Sequence, residues 1–381
     1  MVKDFKAVVA AYQEIDFSLR KAALATVVRV QGSSYRSPGA RMLITDDGRW
    51  TGSISGGCLE GDALRKARNV MTEQRAMTVT YDTREESNQN LGISLGCNGV
   101  IDVLIEPVDP ADKHNPIRFF EDFISLPEPM TLATVISSSH IGKKLLLQKN
   151  GHQQGDQAIF DRVVFTDLES ALAAKKSEIK SYMLGGEMAE VLLEFIHPAI
   201  SLLIFGGGFD ARPVCQLAKN LGWDVEVTDE CVAHIAPLFF PEADKLSLCQ
   251  RDYVDRDIRV TPYSACVLMS HNYEYDRDVL RKLIKTDAPY IGILGPRKRF
   301  DKMVQEFVAE GTILTREDLL RIHSPIGLDI GAEAPDEISV SIVAEIQARF
   351  SRRNGGFLKL LDKPIHLRDD RSDQVYKPSF G

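Results

Sequence analysis

Ile204-Phe-Gly-Gly-Gly-Phe-Asp-Ala211 is the stretch on which the reading of the fold turns. It ends the apolar run Ser201–Phe205 and opens Ala211–Leu221, whose apolar positions recur at helical spacing. Gly206, Gly208 and Ala211 fit GxGxxA, a strand–turn–helix signature in which glycines let a ligand approach the backbone closely. The helix start then offers unpaired N–H groups to an anion. Asp229 ends the next strand candidate, Asp224–Thr228, where dinucleotide-binding folds place a ribose-binding acid. Asp210 departs from the pattern, because its negative charge opposes a seated pyrophosphate unless it points away. The other reading of this turn is structural, with Asp210 capping the helix.

Outward from that turn the pattern stays regular. Ala265–Met269 and Pro289–Leu294 read as further strands, with a helix over Asp276–Ile284 between them. This βαβ spacing predicts a mostly parallel sheet, and Pro335–Phe350 adds a long helix with Ile338, Ile342 and Ile346 on one stripe. Two strand ends carry chemistry. His271 follows one strand and can donate to a ligand oxygen or shuttle a proton near neutral pH, or simply cap a helix. Gly295-Pro-Arg-Lys-Arg299 follows another, where Arg297 can hold a phosphate bidentately while Lys298 or Arg299 adds field. The plain alternative is a solvated basic loop.

The N-terminal half reads as mixed α/β. A short helix over Phe5–Ile15 precedes strands at Ala22–Val30, Ala40–Thr45, Trp50–Ile54, Met77–Tyr81 and Val100–Ile105, with a helix over Leu59–Arg68. Ser53-Ile-Ser-Gly-Gly-Cys58 puts a thiol after Gly56 and Gly57 at a helix start. Unpaired helix N–H groups and Arg36 or Arg41 can there favour a thiolate. Cys97 has a similar glycine-framed setting, and for both thiols the plain alternative is a buried small hydrophobe. Cys215, Cys231, Cys249 and Cys266 fall in core-like contexts. A weak echo links the two parts of this half: Leu24-Ala-Thr-Val27 recurs as Leu132-Ala-Thr-Val135, and Leu145–Leu147 takes the place of Met42–Ile44.

Composition narrows the classes. The chain has 381 residues, 44% hydrophobic and 26% charged, as in ordinary globular proteins, which favours two or three domains. No apolar run is long enough to span a membrane, and Met1–Ile15 lacks the form of a signal peptide, so a cytoplasmic location is expected. A net charge of −8 argues against nucleic-acid binding. No CxxC pair occurs among the six cysteines, so neither a zinc knuckle nor a disulfide framework is expected.

Several longer motifs together resemble the XdhC/CoxI family, the accessory proteins of bacterial xanthine dehydrogenase and related molybdenum hydroxylases. They are Gly32-Ser-Ser-Tyr-Arg36 with Gly39-Ala-Arg-Met42, Gly52–Glu60, and Leu95-Gly-Cys-Asn-Gly99 with Glu106-Pro107. In the second half they are Phe205–Ala211, Ser270-His271 with Asp276, Tyr290–Gly295 and Ile322–Ala332. The resemblance implies an XdhC/CoxI-like N-terminal domain over 1–108 and a middle strand-rich region over 109–198. It also implies a Rossmann-like domain over 199–350, with a C-terminal extension over 351–381.

Proteins of that family are understood to bind molybdenum cofactor, of the molybdopterin type, and to protect it, support its sulfuration or deliver it to a hydroxylase. By resemblance, Cys58 and Cys97 contact the molybdenum or take part in sulfur transfer. Gly206, Gly208, Asp229, His271 and Arg297 face the pterin or nucleotide end, and Arg36, Arg41, Gly56 and Gly57 belong to the thiol site. The implied partners are a xanthine dehydrogenase-like hydroxylase of purine catabolism, a cysteine desulfurase or other sulfur donor, and a second copy of the chain in a homodimer. The chain lacks the cysteine clusters of the hydroxylase's iron–sulfur centres. It departs from relatives at Phe209-Asp210, at Pro296 and at Ala334, which replaces a helix-capping threonine. Two other functions remain open: an NAD- or NADP-dependent oxidoreductase using Gly206, Gly208 and Asp229, and a scaffold with a vestigial nucleotide site.

Overall fold

The computed structural model describes residues 2–32, 34–83, 99–125 and 128–362, and the chain separates into two compact units that divide after Pro198. The first opens with α1 (Val2–Gln13), β1 (Ala22–Gly32), β2 (Arg41–Thr45), β3 (Trp50–Gly52), α2 (Glu60–Glu73), β4 (Met77–Asp82) and β5 (Gly99–Val108). After α3 (Arg118–Ser125) the same succession returns as β6 (Met130–Val135), β7 (Lys144–Gln148), β8 (Gln153–Gly155), α4 (Arg162–Ala174), β9 (Glu178–Leu184) and β10 (Glu187–Ile196). Two five-stranded sheets result, ordered β3-β2-β1-β5-β4 and β8-β7-β6-β10-β9.

The echo in the sequence is therefore a structural repeat. Leu24–Val27 and Leu132–Val135 lie at matching positions of β1 and β6. Gly39 and Gly142 adopt φ of +90° and +88°, and each donates its N–H to the carbonyl of Val27 or Val135. Gly52 and Gly155 also have positive φ, and a Cβ on either would collide with the carbonyl oxygen of Arg41 or Lys144. Helices α2 and α4 both end in a left-handed residue, Gln74 and Lys175. Tyr81 and Tyr182 each donate to an aspartate on the covering helix, Asp62 and Asp167.

Packing follows the same symmetry. Ala63, Ala67 and Val70 of α2 seal one face of the first sheet, and Val164, Leu168 and Ala171 of α4 seal one face of the second. On the opposite faces Val28 and Leu104 meet their repeat equivalents Ile136 and Leu192, while Phe5 of α1 and Phe120 of α3 close a second shared cluster. Two buried ion pairs link the sheets reciprocally. Arg41 on β2 reaches Glu194 on β10 at 2.5 Å, and Lys144 on β7 reaches Glu106 on β5. Arg41 also donates to the Gly39 carbonyl at 2.7 Å, as Lys144 does to Gly142 at 3.2 Å. Paired charges of this kind are costly to separate, because removing one partner leaves the other buried and uncompensated.

The second unit runs β11 (Ser201–Phe205), α5 (Ala211–Asn220), β12 (Asp224–Asp229), β13 (Lys245–Leu248), α6 (Val254–Asp257), β14 (Ser264–Leu268), α7 (Tyr273–Leu283) and β15 (Tyr290–Ile293). It ends with α8 (Arg297–Ala309), α9 (Arg316–Arg321), β16 (Ile322–His323) and α10 (Pro335–Phe350). All six strands are parallel in the order β13-β12-β11-β14-β15-β16, the doubly wound Rossmann arrangement. Helices α5 and α10 cover one face with Val214, Ala218, Ile342 and Ile346, and α7 and α8 cover the other with Val279, Leu283, Met303 and Phe307. Ala334 supplies no side-chain cap to α10, but Glu337 accepts the Glu333 and Ala334 N–H groups at 2.8 and 3.0 Å in its stead.

Candidate functional site

In the first unit the chain leaves β3 and turns through Ser53–Leu59 into α2. The Ser55 hydroxyl oxygen accepts the N–H groups of Gly57, Cys58 and Leu59 at 3.2, 3.1 and 3.0 Å, and its proton goes to Glu60. Glu60 also accepts from Ser53 Oγ at 2.8 Å and from the Ser55 N–H at 2.9 Å. Burial works against the Glu60 charge, but the bonds from Ser55 and Ser53 together outweigh it and hold the carboxyl below its ordinary value. Cys58 is half-buried, with Sγ 3.6 Å from Ser55 Oγ. The Ser55 oxygen thus ties down three N–H groups of the turn itself, all of them before Glu60, the first residue of α2. Gly57 needs its φ of +112°, and a Cβ on Gly56 would lie 3.3 Å from the exposed Tyr35 ring.

Neither arginine stands beside the thiol as a free cation. Arg36 pairs with Asp4 of α1, and Arg41 is buried against Glu194. Cys97 lies outside the described residues.

In the second unit the glycine turn sits where the strand order reverses, between β11 and β14. Gly206 has φ +114°, and a Cβ there would collide with the Ser270 backbone, so the turns after the two strands touch. His271, exposed and at φ +59°, brings Nε2 to 3.1 Å from Asp210 Oδ2 across this switch point. Asp210 therefore points to His271 and makes no cap to α5. A Cβ on Gly208 would be 3.6 Å from the His271 ring.

Asp229 is 5% exposed and already engaged. Its oxygens accept from the Gly207 and Cys231 N–H groups at 2.9 and 2.8 Å, and His234 Nδ1 lies at 3.1 Å. The His234 carbonyl also stands where a Cβ on Gly207 would go. Asp229 thus braces the glycine turn. Cys231 corrects the expectation of a core-like setting. It is exposed, in the loop two residues beyond Asp229, the last residue of β12.

Farther along the strand ends, Arg297 is 69% exposed and pairs with Asp301 one turn away at 3.2 Å. Arg299 instead turns inward to Asp276 Oδ2 at 2.6 Å, while Ser270 Oγ donates to Oδ1 at 2.6 Å. Burial pushes the Asp276 carboxyl above its ordinary value against these bonds. Sequence reading missed the Ser55–Glu60 brace and also Arg212, whose guanidinium lies over the rings of Phe209 and Phe239. The position of Arg212 immediately after the glycine signature was the available signal.

Among the described residues, no group of His, Cys, Asp or Glu is placed to hold a metal ion, and no helix is long and apolar enough to cross a membrane.

A six-stranded Rossmann sheet with a glycine turn at its switch point defines the class of the second unit. A family model described as the XdhC Rossmann domain matches residues 202–346, and one described as the XdhC and CoxI family matches residues 18–82. A Bacillus subtilis protein described as a probable xanthine dehydrogenase subunit is 30% identical over 326 residues, 86% of this chain and 92% of that protein. The molybdenum cofactor insertion chaperone PaoD of Escherichia coli is 22% identical over 356 residues, 91% of this chain and 89% of that one. A crystal structure described as a xanthine dehydrogenase from Bacillus halodurans superposes with a TM-score of 0.74 at 28% identity, covering 93% of this chain and 98% of that one. The chain belongs to the XdhC and CoxI family.

Proposed function

We propose that this protein is an accessory factor that takes up molybdenum cofactor as cargo and hands it to a xanthine dehydrogenase-like hydroxylase, protecting it or supporting its sulfuration on the way. The similarity to PaoD along nine-tenths of the chain carries the reading. The geometry supports it with two separate features. In the first unit, Cys58 stands half-buried on a glycine turn hydrogen-bonded to Ser55. In the second, Gly206, Gly208 and His271 meet at the switch point of the parallel sheet. In this reading Cys58, with Cys97, is the contact to molybdenum or the sulfur relay of the first unit, and the glycine turn of the second unit is a separate candidate for a pterin or nucleotide group. A cysteine desulfurase or other sulfur donor and a homodimeric state belong to the same proposal.

The test is retention of cofactor by the purified full chain under reducing, anaerobic conditions. Stoichiometric retention of molybdenum and pterin supports the proposal, and retention no greater than that of an unrelated protein contradicts it. Titration with oxidised and reduced nicotinamides runs beside it, with no saturable hydride transfer expected.

A further inference from the structure

We propose that Arg212 is the phosphoryl receptor at the switch-point glycine turn. It is the second residue of α5, one position beyond Ala211 of the glycine turn. Its guanidinium carbon lies 3.9 Å from the centroid of the Phe239 ring and 5.3 Å from that of Phe209. Its Nε is buried with no hydrogen-bond partner, and among the described residues no carboxylate pairs with the side chain.

The arginines at the neighbouring strand ends are paired instead: Arg251 with Glu230, Arg297 with Asp301 and Arg299 with Asp276. The two acids flanking the glycine turn are occupied elsewhere, Asp210 with His271 and Asp229 with Gly207, Cys231 and His234. In a chain of net charge −8, the guanidinium at the glycine turn thus has no carboxylate partner among the described residues. Stacking against two aromatic faces stabilises the cation without neutralising it and restricts its rotamers before a ligand arrives. A planar, rigid guanidinium presents the donor fork that matches phosphoryl oxygens. The ligand class is therefore a phosphorylated one, either a phosphomonoester or a diphosphate, with dianionic phosphoryl oxygen as the shared chemistry. The inference deepens the cofactor-handling reading and rests on it only for the identity of the natural ligand.

Calorimetric titration of the full chain with inorganic pyrophosphate, and separately with inorganic phosphate, tests it. Saturable binding is expected, with pyrophosphate the stronger if the site takes a diphosphate and the two equal if it takes a phosphomonoester. Arg212→Gln weakens binding by roughly tenfold to a hundredfold, the loss of one charged hydrogen-bonding group. Arg212→Lys falls in between, and Phe239→Leu weakens binding although the guanidinium remains. Should Arg212→Gln fail to fold, mass-spectrometric mapping of phenylglyoxal modification on the unmodified sequence replaces it, with pyrophosphate expected to protect Arg212. Absence of saturable binding, equal binding by a folded Arg212→Gln variant, or an unprotected Arg212 overturns the proposal. Arg212-dependent pyrophosphate binding in a chain that retains no molybdenum cofactor leaves this site standing and removes the reading above it.

Discussion

Cys58 is the residue on which transfer should depend most, because it is half-buried on a glycine turn whose N–H groups are tied to Ser55. Cys58→Ser keeps the volume and the Ser55 contacts, so the fold should survive. Transfer of cofactor to a hydroxylase should fall by roughly tenfold or more, about 1.4 kcal/mol of barrier. Cys215→Ser and Cys266→Ser, both at buried positions, serve as controls and should transfer normally. Glu60 sets a pH limit on the same turn. Its folded pKa lies below the ordinary 4.5, so the unfolded chain binds the proton more tightly. Its contribution to stability is then complete above about pH 4.5 and is lost as the pH falls through the folded value. Denaturant midpoints measured from pH 6 downward should show a shallower acid decline in Glu60→Gln than in the unmodified chain. At this scale the glycine turn and His271 were legible because residue type and spacing define them. The partners of Asp210, Asp229 and Ser55 were not, since each depends on where one side chain points after folding.

The repeat makes predictions that come in matched pairs. Arg41→Met leaves Glu194 buried and unpaired, and Lys144→Met does the same to Glu106; each should cost about 3–5 kcal/mol in equilibrium unfolding. The double variant Arg41→Met/Glu194→Met should recover much of that loss, because no lone charge remains. Gly52→Ala and Gly155→Ala should each destabilise by more than about 1 kcal/mol, since both combine positive φ with a collision against the preceding strand. An effect in one half without its counterpart in the other would contradict the equivalence. Two short echoes betrayed this duplication in sequence, Leu24–Val27 with Leu132–Val135 and Met42–Ile44 with Leu145–Leu147. The rest of it is carried by backbone features, such as Gly39 with Gly142, and by a charge pair in which Arg41 corresponds to Lys144. The helix α4 and strands β9 and β10 went unread for this reason. Strands β11, β14 and β15 were legible as buried apolar runs and β12 by the alternation of Val225 and Val227 with polar residues, whereas β13 and β16 are short edge strands without that signal.

For the molecule as a whole, the parallel sheet followed from strand–helix alternation, and the family from long ordered motifs in both units. The cargo does not follow from either, because a Rossmann crevice serves many ligands and the turn at Cys58 names no metal. The central claim is that the chain carries molybdenum cofactor for another enzyme. Its most direct test is activation of a cofactor-free molybdenum hydroxylase by the purified full chain loaded with cofactor, in a system with defined sulfur input. The account predicts that the hydroxylase gains activity in proportion to the loaded chain added, while the chain alone oxidises no xanthine. A loaded chain that activates nothing beyond free cofactor, or a chain that itself oxidises xanthine, would contradict it.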